Sequence, residues 1–114
     1  TGSVGTKSLL EDAVVEELEL VGAPRPMVNR RVTLGSERPE LDLYWPRYGV
    51  VGDVIGAGHD RRACRVADAN LASLCDAAGL LLVPVHQEYV SEGVQRIASE
   101  LEARGASMRP RSAT

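Results

Sequence analysis

The side chains of this 114-residue chain with the most chemical potential are carboxylates on predicted strands. Glu40 to Trp45 alternates in character, which puts Glu40, Asp42 and Tyr44 on one face of a half-buried strand and Leu41, Leu43 and Trp45 on the other. Pro46-Arg47 turns the chain into a second alternating run over 48–55. There Val51, Asp53 and Ile55 share one face, and Val50, Gly52 and Val54 the other. Strands joined this tightly are expected to pair antiparallel. Carboxylate oxygens are hard ligands of the kind that suit Mg²⁺. Other chemistries find no footing: no C-x-x-C, phosphate-binding G-x-x-x-x-G-K-[ST] or nucleophile-elbow G-x-S-x-G occurs, and His59 and His86 lack metal-ligand spacing with the cysteines.

The elements that must hold these aspartates can be read from periodicity. Ser8 followed by Glu11 is a capping-box pattern, and Leu9, Leu10, Val14, Leu18 and Val21 recur at helical spacing until Gly22 and Pro24, so a helix is predicted over 8–21. Residues 27–34 are rich in β-branched types and end at Gly35-Ser36, as a strand would. Beyond the two alternating strands, Gly56-Ala57-Gly58 breaks the pattern. Asp60 can then cap a helix with Cys64, Ala67, Leu71, Leu74, Cys75 and Ala78 as its apolar stripe, closed by Gly79. Residues 80–85 form an apolar run of the kind buried in mid-sheet, although Pro84 cannot donate to a ladder and suggests an exposed or irregular end. Ser91 opens a last helix to about Arg104. The expected order is αβββαβα: an α/β fold with a mixed central sheet.

Length supports one domain, expected over 8–104, with residues 1–7 a lead that is disordered or left over from cloning and 105–114 a flexible tail with nothing to pack. The 44% hydrophobic and 25% charged fractions are those of a soluble globular protein. No apolar run approaches the roughly 18 residues that span a bilayer, and Thr1 to Lys7 lacks a signal peptide's apolar stretch, so a cytoplasmic protein with no membrane partner is expected. Cys64 and Cys75 lie about three helical turns apart, too far for a disulfide, and are expected as reduced core residues. A net charge of -3 argues against binding nucleic acid through bulk positive charge. The charge is nevertheless segregated. Glu11, Asp12, Glu16, Glu17 and Glu19 make the first helix acidic, while Arg61, Arg62 and Arg65 crowd the start of the second, where basic residues oppose the helix dipole.

Several segments, in order along most of the chain, resemble the PD-(D/E)xK superfamily, whose restriction-endonuclease-like core shares this element order. The branch most similar is the Vsr-like (very-short-patch-repair-like) bacterial domain of unknown function. Ser8-Leu9-Leu10-Glu11 resembles its opening serine-x-leucine-glutamate, and Gly22-Ala23-Pro24-Arg25-Pro26-Met27-Val28-Asn29 its glycine-x-proline-x-proline linker with a following valine-asparagine. The run from Glu40 to Pro46 resembles its aspartate before tryptophan-proline, and that from Val50 to Gly56 its strand ending glutamate-valine-aspartate-glycine. Asp68 and Ala77-Ala78-Gly79 fall near further family positions.

The resemblance implies a DNA endonuclease or nicking domain, with Mg²⁺ or Mn²⁺ neutralising charge on the phosphate and supplying a nucleophilic water. It implies Asp42 and Asp53 as metal ligands, Glu11 reaching the site from the first helix, and His59 as a further catalytic group. Each has a plainer reading: Asp42 a solvated strand residue, Glu11 a capping-box partner, His59 a loop residue, Asp60 a helix cap. Arg61, Arg62 and Arg65 would hold DNA phosphates or form a solvated helix face. The family also implies a winged-helix segment or protein partner on the amino-terminal side. Two positions depart from the pattern. Asp53 stands where glutamate is usual, setting its carboxylate back by roughly 1 Å, a misplacement that harms catalysis, and Ile55 stands where an ionisable residue is usual. The second expectation is therefore a degenerate nuclease fold that binds nucleic acid or protein without cleaving.

Overall fold

The computed structural model describes the backbone of residues 2–56 and 61–109 and the side chains of residues 9–56 and 69–109. Its elements are α1 (Gly2–Leu20), β1 (Met27–Arg31), β2 (Glu40–Trp45), β3 (Val50–Ile55), α2 (Arg61–Ala77), β4 (Leu81–His86), a 3₁₀ turn (Gln87–Tyr89) and α3 (Val90–Ala103). The fold is mixed α/β, with a four-stranded sheet in the order β1-β2-β3-β4. β2 runs antiparallel to both neighbours, and β3 and β4 are parallel. Among the described residues no helix is long and apolar enough to cross a membrane.

Two apolar clusters, one on each face of the sheet, make three layers. Val14 and Leu18 of α1 and Val94, Ile97 and Leu101 of α3 meet Leu43, Trp45, Val50, Val54, Val83 and Val85. On the other face Cys75, Leu71 and Leu74 of α2 meet Leu41, Val51 and Leu82. Alternation along β3 assigns its residues to the two faces, since Val50 and Val54 join the first cluster and Val51 the second. Burying each such side chain stabilises by about 1.5–3 kcal/mol relative to leaving it exposed. Gly52 is small because Leu43 and Ile97 lie over it: a Cβ there would come 3.1 Å from Leu43 and 3.4 Å from Ile97.

Four expectations are corrected. First, α1 begins at Gly2 rather than at Ser8, so Ser8 and Glu11 lie inside the helix and not at its start. Second, Leu41 and Leu43, predicted to share a face, enter opposite clusters, because β2 changes face at Asp42. Third, among the described residues β4 is an edge strand rather than a mid-sheet one, in line with the signal from Pro84: exposed and lacking an N–H, it removes a donor from the open edge. Fourth, two of the described residues after Arg104 make contacts with the rest of the fold. Ala106 is buried in the first cluster, and the Arg109 N–H donates to Gly22 O at 3.0 Å, tying this segment to the end of α1.

α3 lies so close to β4 that a Cβ on Gly93 would sit 2.9 Å from Val85 Cγ2 and 3.0 Å from Val85 Cα. Gly93→Ala would gain up to about 1 kcal/mol of helix propensity. Overpacking against a backbone atom costs more, about 1–3 kcal/mol. Urea unfolding is expected to show net destabilisation of Gly93→Ala; a stabilised variant would mean that α3 does not rest on β4 at this distance.

Candidate functional site

Asp42 is 6% exposed and sits where β2 and β3 part. The register between them runs Trp45↔Val50, Tyr44↔Val51 and Leu43↔Gly52. Past that point the Val54 N–H donates to Asp42 Oδ2 at 2.8 Å. A side-chain oxygen has thus taken the place that a strand carbonyl holds in a continued ladder. A buried N–H needs a partner, and without one it would cost about 1–3 kcal/mol.

Glu11 reaches the same level from the other side of β1. With Val14 and Leu18 it forms an i, i+3, i+7 stripe on the buried side of α1, and it is 5% exposed. Asn29 Nδ2 donates to Glu11 Oε1 at 3.1 Å. Asn29 lies between the register pairs Val28↔Leu43 and Arg30↔Leu41, level with Asp42, and its φ of 52° is in the left-handed region. Asn is among the few non-glycine types that adopt this conformation readily. A polar line therefore crosses the fold from α1 through β1 and β2 to β3, by way of Glu11, Asn29, Asp42 and the Val54 amide.

Asp53 is half-buried and belongs to the opposite face. Neighbouring Val54 joins the α1/α3 cluster, whereas Asp53 lies near Cys75 of α2. Burial, helped by the negative charge of Asp53, pushes the Cys75 thiol above its ordinary pKa. As expected, Cys75 is a free, buried cysteine. Ile55 ends β3 half-buried on the Asp53 face, in register with His86 of β4. Trp45 is core, its indole N–H donating to Pro24 O at 2.8 Å.

The structure thus brings Glu11 and Asp42 onto one line and turns Asp53 toward α2. Among the described residues, no three acidic, histidine or cysteine side chains come together as a metal-ligand group. The donor types suit Mg²⁺ or Mn²⁺, but one oxygen of Glu11 and one of Asp42 are engaged by amides of the chain itself. His59 and Asp60 lie outside the described residues. Arg61, Arg62 and Arg65 occupy the first turns of α2, and their side chains, like those of Cys64 and Asp68, are outside the described set. Asn29 is the site residue that sequence reasoning passed over. Besides its place in the valine-asparagine of the resemblance, its signal was an asparagine, a type tolerant of the left-handed conformation, in an otherwise strand-forming run.

Compared with known proteins, the chain matches no family model, no curated protein and no solved structure.

Substitutions at Asp42 separate its structural role from any charge requirement. Asp42→Asn keeps an acceptor for the Val54 N–H and is expected to change stability by less than about 1 kcal/mol. Asp42→Ala leaves that N–H unpaired and is expected to cost about 2–3 kcal/mol in urea unfolding. Equal losses in the two variants would show that the bond does not carry the role given to it.

Proposed function

We propose that this chain is a nuclease-like domain of the PD-(D/E)xK kind whose carboxylate line has become structural, leaving a module that binds nucleic acid without cleaving it. One observation carries the reading: Asp42, the residue that the resemblance makes the principal metal ligand, turns an oxygen to the Val54 amide 2.8 Å away and so holds the splayed strands together. The sheet order β1-β2-β3-β4, with β2 antiparallel and β3 parallel to β4, agrees with the restriction-endonuclease-like plan. Ile55, unable to bind metal or move a proton, stands beside Asp53, which faces α2. The described carboxylates do not fit a three-ligand cage.

Nucleic-acid binding in this reading rests on α2, which starts at Arg61 directly beyond β3 and carries Arg62 and Arg65 in its first turns. Guanidinium groups at this end would meet phosphate oxygens without reading bases. Affinity of that kind weakens as salt rises, with a slope of roughly 0.9 for each phosphate neutralised.

A second reading, a working Mg²⁺- or Mn²⁺-dependent endonuclease, is favoured by the burial of Glu11 and Asp42. Buried carboxylates mark functional sites more often than chance, and donors such as Asn29 commonly orient metal ligands. Supercoiled plasmid incubated with excess protein and Mg²⁺ or Mn²⁺ distinguishes the two. The proposal expects intact plasmid, together with duplex binding, followed by fluorescence anisotropy, that weakens with salt and is lost when Arg61, Arg62 and Arg65 are all changed to Glu. Nicking by the wild type that disappears in Asp42→Asn would overturn the proposal and establish the second reading.

A further inference from the structure

β1, β3 and β4 run in one direction, since β2 is antiparallel to β1 and β3, and β4 is parallel to β3. Their carboxyl ends therefore lie at the same end of the sheet, and α2 starts at Arg61, shortly beyond the end of β3. Open α/β sheets bind ligands just outside the carboxyl ends of their parallel strands. β2 and β3 also part toward this end, past the pair Leu43↔Gly52. Arg30 stands here on the outer strand, exposed and opposite Leu41 of the α2-side cluster. Opposite residues of an antiparallel pair share a face, so Arg30 is turned to the α2 side of the sheet. Among the described residues it forms no ion pair. Neighbouring Arg31 takes the other side: it sits opposite Glu40, and its Nη1 donates to Arg38 O at 3.0 Å.

We propose that Arg30 is a second phosphate contact for a nucleic-acid duplex, placed across a groove from the start of α2; this rests on the nucleic-acid-binding reading above. Neighbouring strands lie about 4.8 Å apart, so β1 is roughly 10 Å from β3, beyond which α2 begins. The grooves of B-DNA are about 6 Å and 12 Å wide, so two anchors at this separation meet phosphates on both strands. A single strand has one backbone and leaves one anchor empty. The residue opposite Arg30 is apolar, which leaves the guanidinium for the ligand, whereas Arg31 already faces the carboxylate of Glu40. Two acidic groups share the α2 side: Asp53, half-buried beside Cys75, and Glu37, bridged to Leu34 in the turn after β1. Neither is the cross-strand partner of Arg30, and the oxygen of Asp42 is held by the Val54 amide.

Fluorescence anisotropy of the full chain with a short DNA duplex, and with one of its strands alone, tests this across a salt series. Arg30→Gln is expected to weaken duplex binding several-fold and to lower the slope of log affinity against log salt by about 0.9, the loss of one phosphate. Arg31→Gln, one residue away on the other side, is expected to leave both unchanged. Both side chains are exposed, so a circular-dichroism spectrum unchanged from wild type shows that each variant is folded. If the variant with Arg61, Arg62 and Arg65 changed to Glu loses binding while Arg30→Gln keeps the wild-type affinity and slope, this inference falls and the reading it rests on stands. Equal losses in Arg30→Gln and Arg31→Gln would overturn the assignment of faces, and equal affinity for the single strand would overturn contact across a groove. A wild type that binds no duplex would overturn the underlying reading, and this inference with it.

Discussion

At Asp42 the fold replaces a backbone acceptor with a side chain, and the rest of the structure is arranged around that exchange. While β2 and β3 remain paired, Leu43 lies over Gly52 and Trp45 beside Val50, and the first core closes beneath α1 and α3. Once the strands part, the Val54 N–H would be buried and unpaired, and the carboxylate of Asp42 meets it. The same break lets Leu41 turn to the α2 side while Leu43 stays on the α1 side, so one residue of β2 serves as the crossing between two cores. Asn29 makes the matching adjustment in β1 with a left-handed backbone, and its amide ties the crease to Glu11.

The same constraint sets the functional argument. A fork between two strands is where a sheet can offer carboxylates to a ligand, because side chains and backbone groups there are released from the ladder. In this chain those groups are used inward: Asp42 toward the Val54 amide and Glu11 toward the Asn29 amide, with Asp53 on the far face beside α2. Such bonds commonly orient metal ligands, and here they also engage oxygens that a metal ion would need. Ile55 beside Asp53, with no group that binds metal or moves a proton, is what favours replacement in the proposed reading.

Much of the fold was legible in the sequence because periodicity is a direct consequence of burial on one face. The alternation over 40–45 and 48–55 and the stripe ending at Ala78 located β2, β3 and α2 to within a few residues. The start of α1 was misplaced because Ser8 and Glu11 match a capping box by type and spacing, a local signal that continuation of the helix overrode. The edge position of β4 was masked by its apolar composition, with Pro84 the one residue that argued otherwise. The site was legible in its residue types and not in its geometry. Alternation put Leu41 and Leu43 on one face, and only the break in pairing at Asp42, a tertiary event, separates them. Asn29 carried a conformational signal, but its reach to Glu11 depends on how α1 lies against the sheet, which no local pattern encodes.

The most direct measurement is the amide resonance of Val54 in isotope-labelled protein as Mn²⁺ is added. If Asp42 serves the backbone and binds no metal, this amide remains protected from hydrogen exchange, and its signal stays as sharp as those of distant residues at one equivalent of Mn²⁺. Selective broadening of Val54 at one equivalent would place the ion on Asp42 and contradict the account.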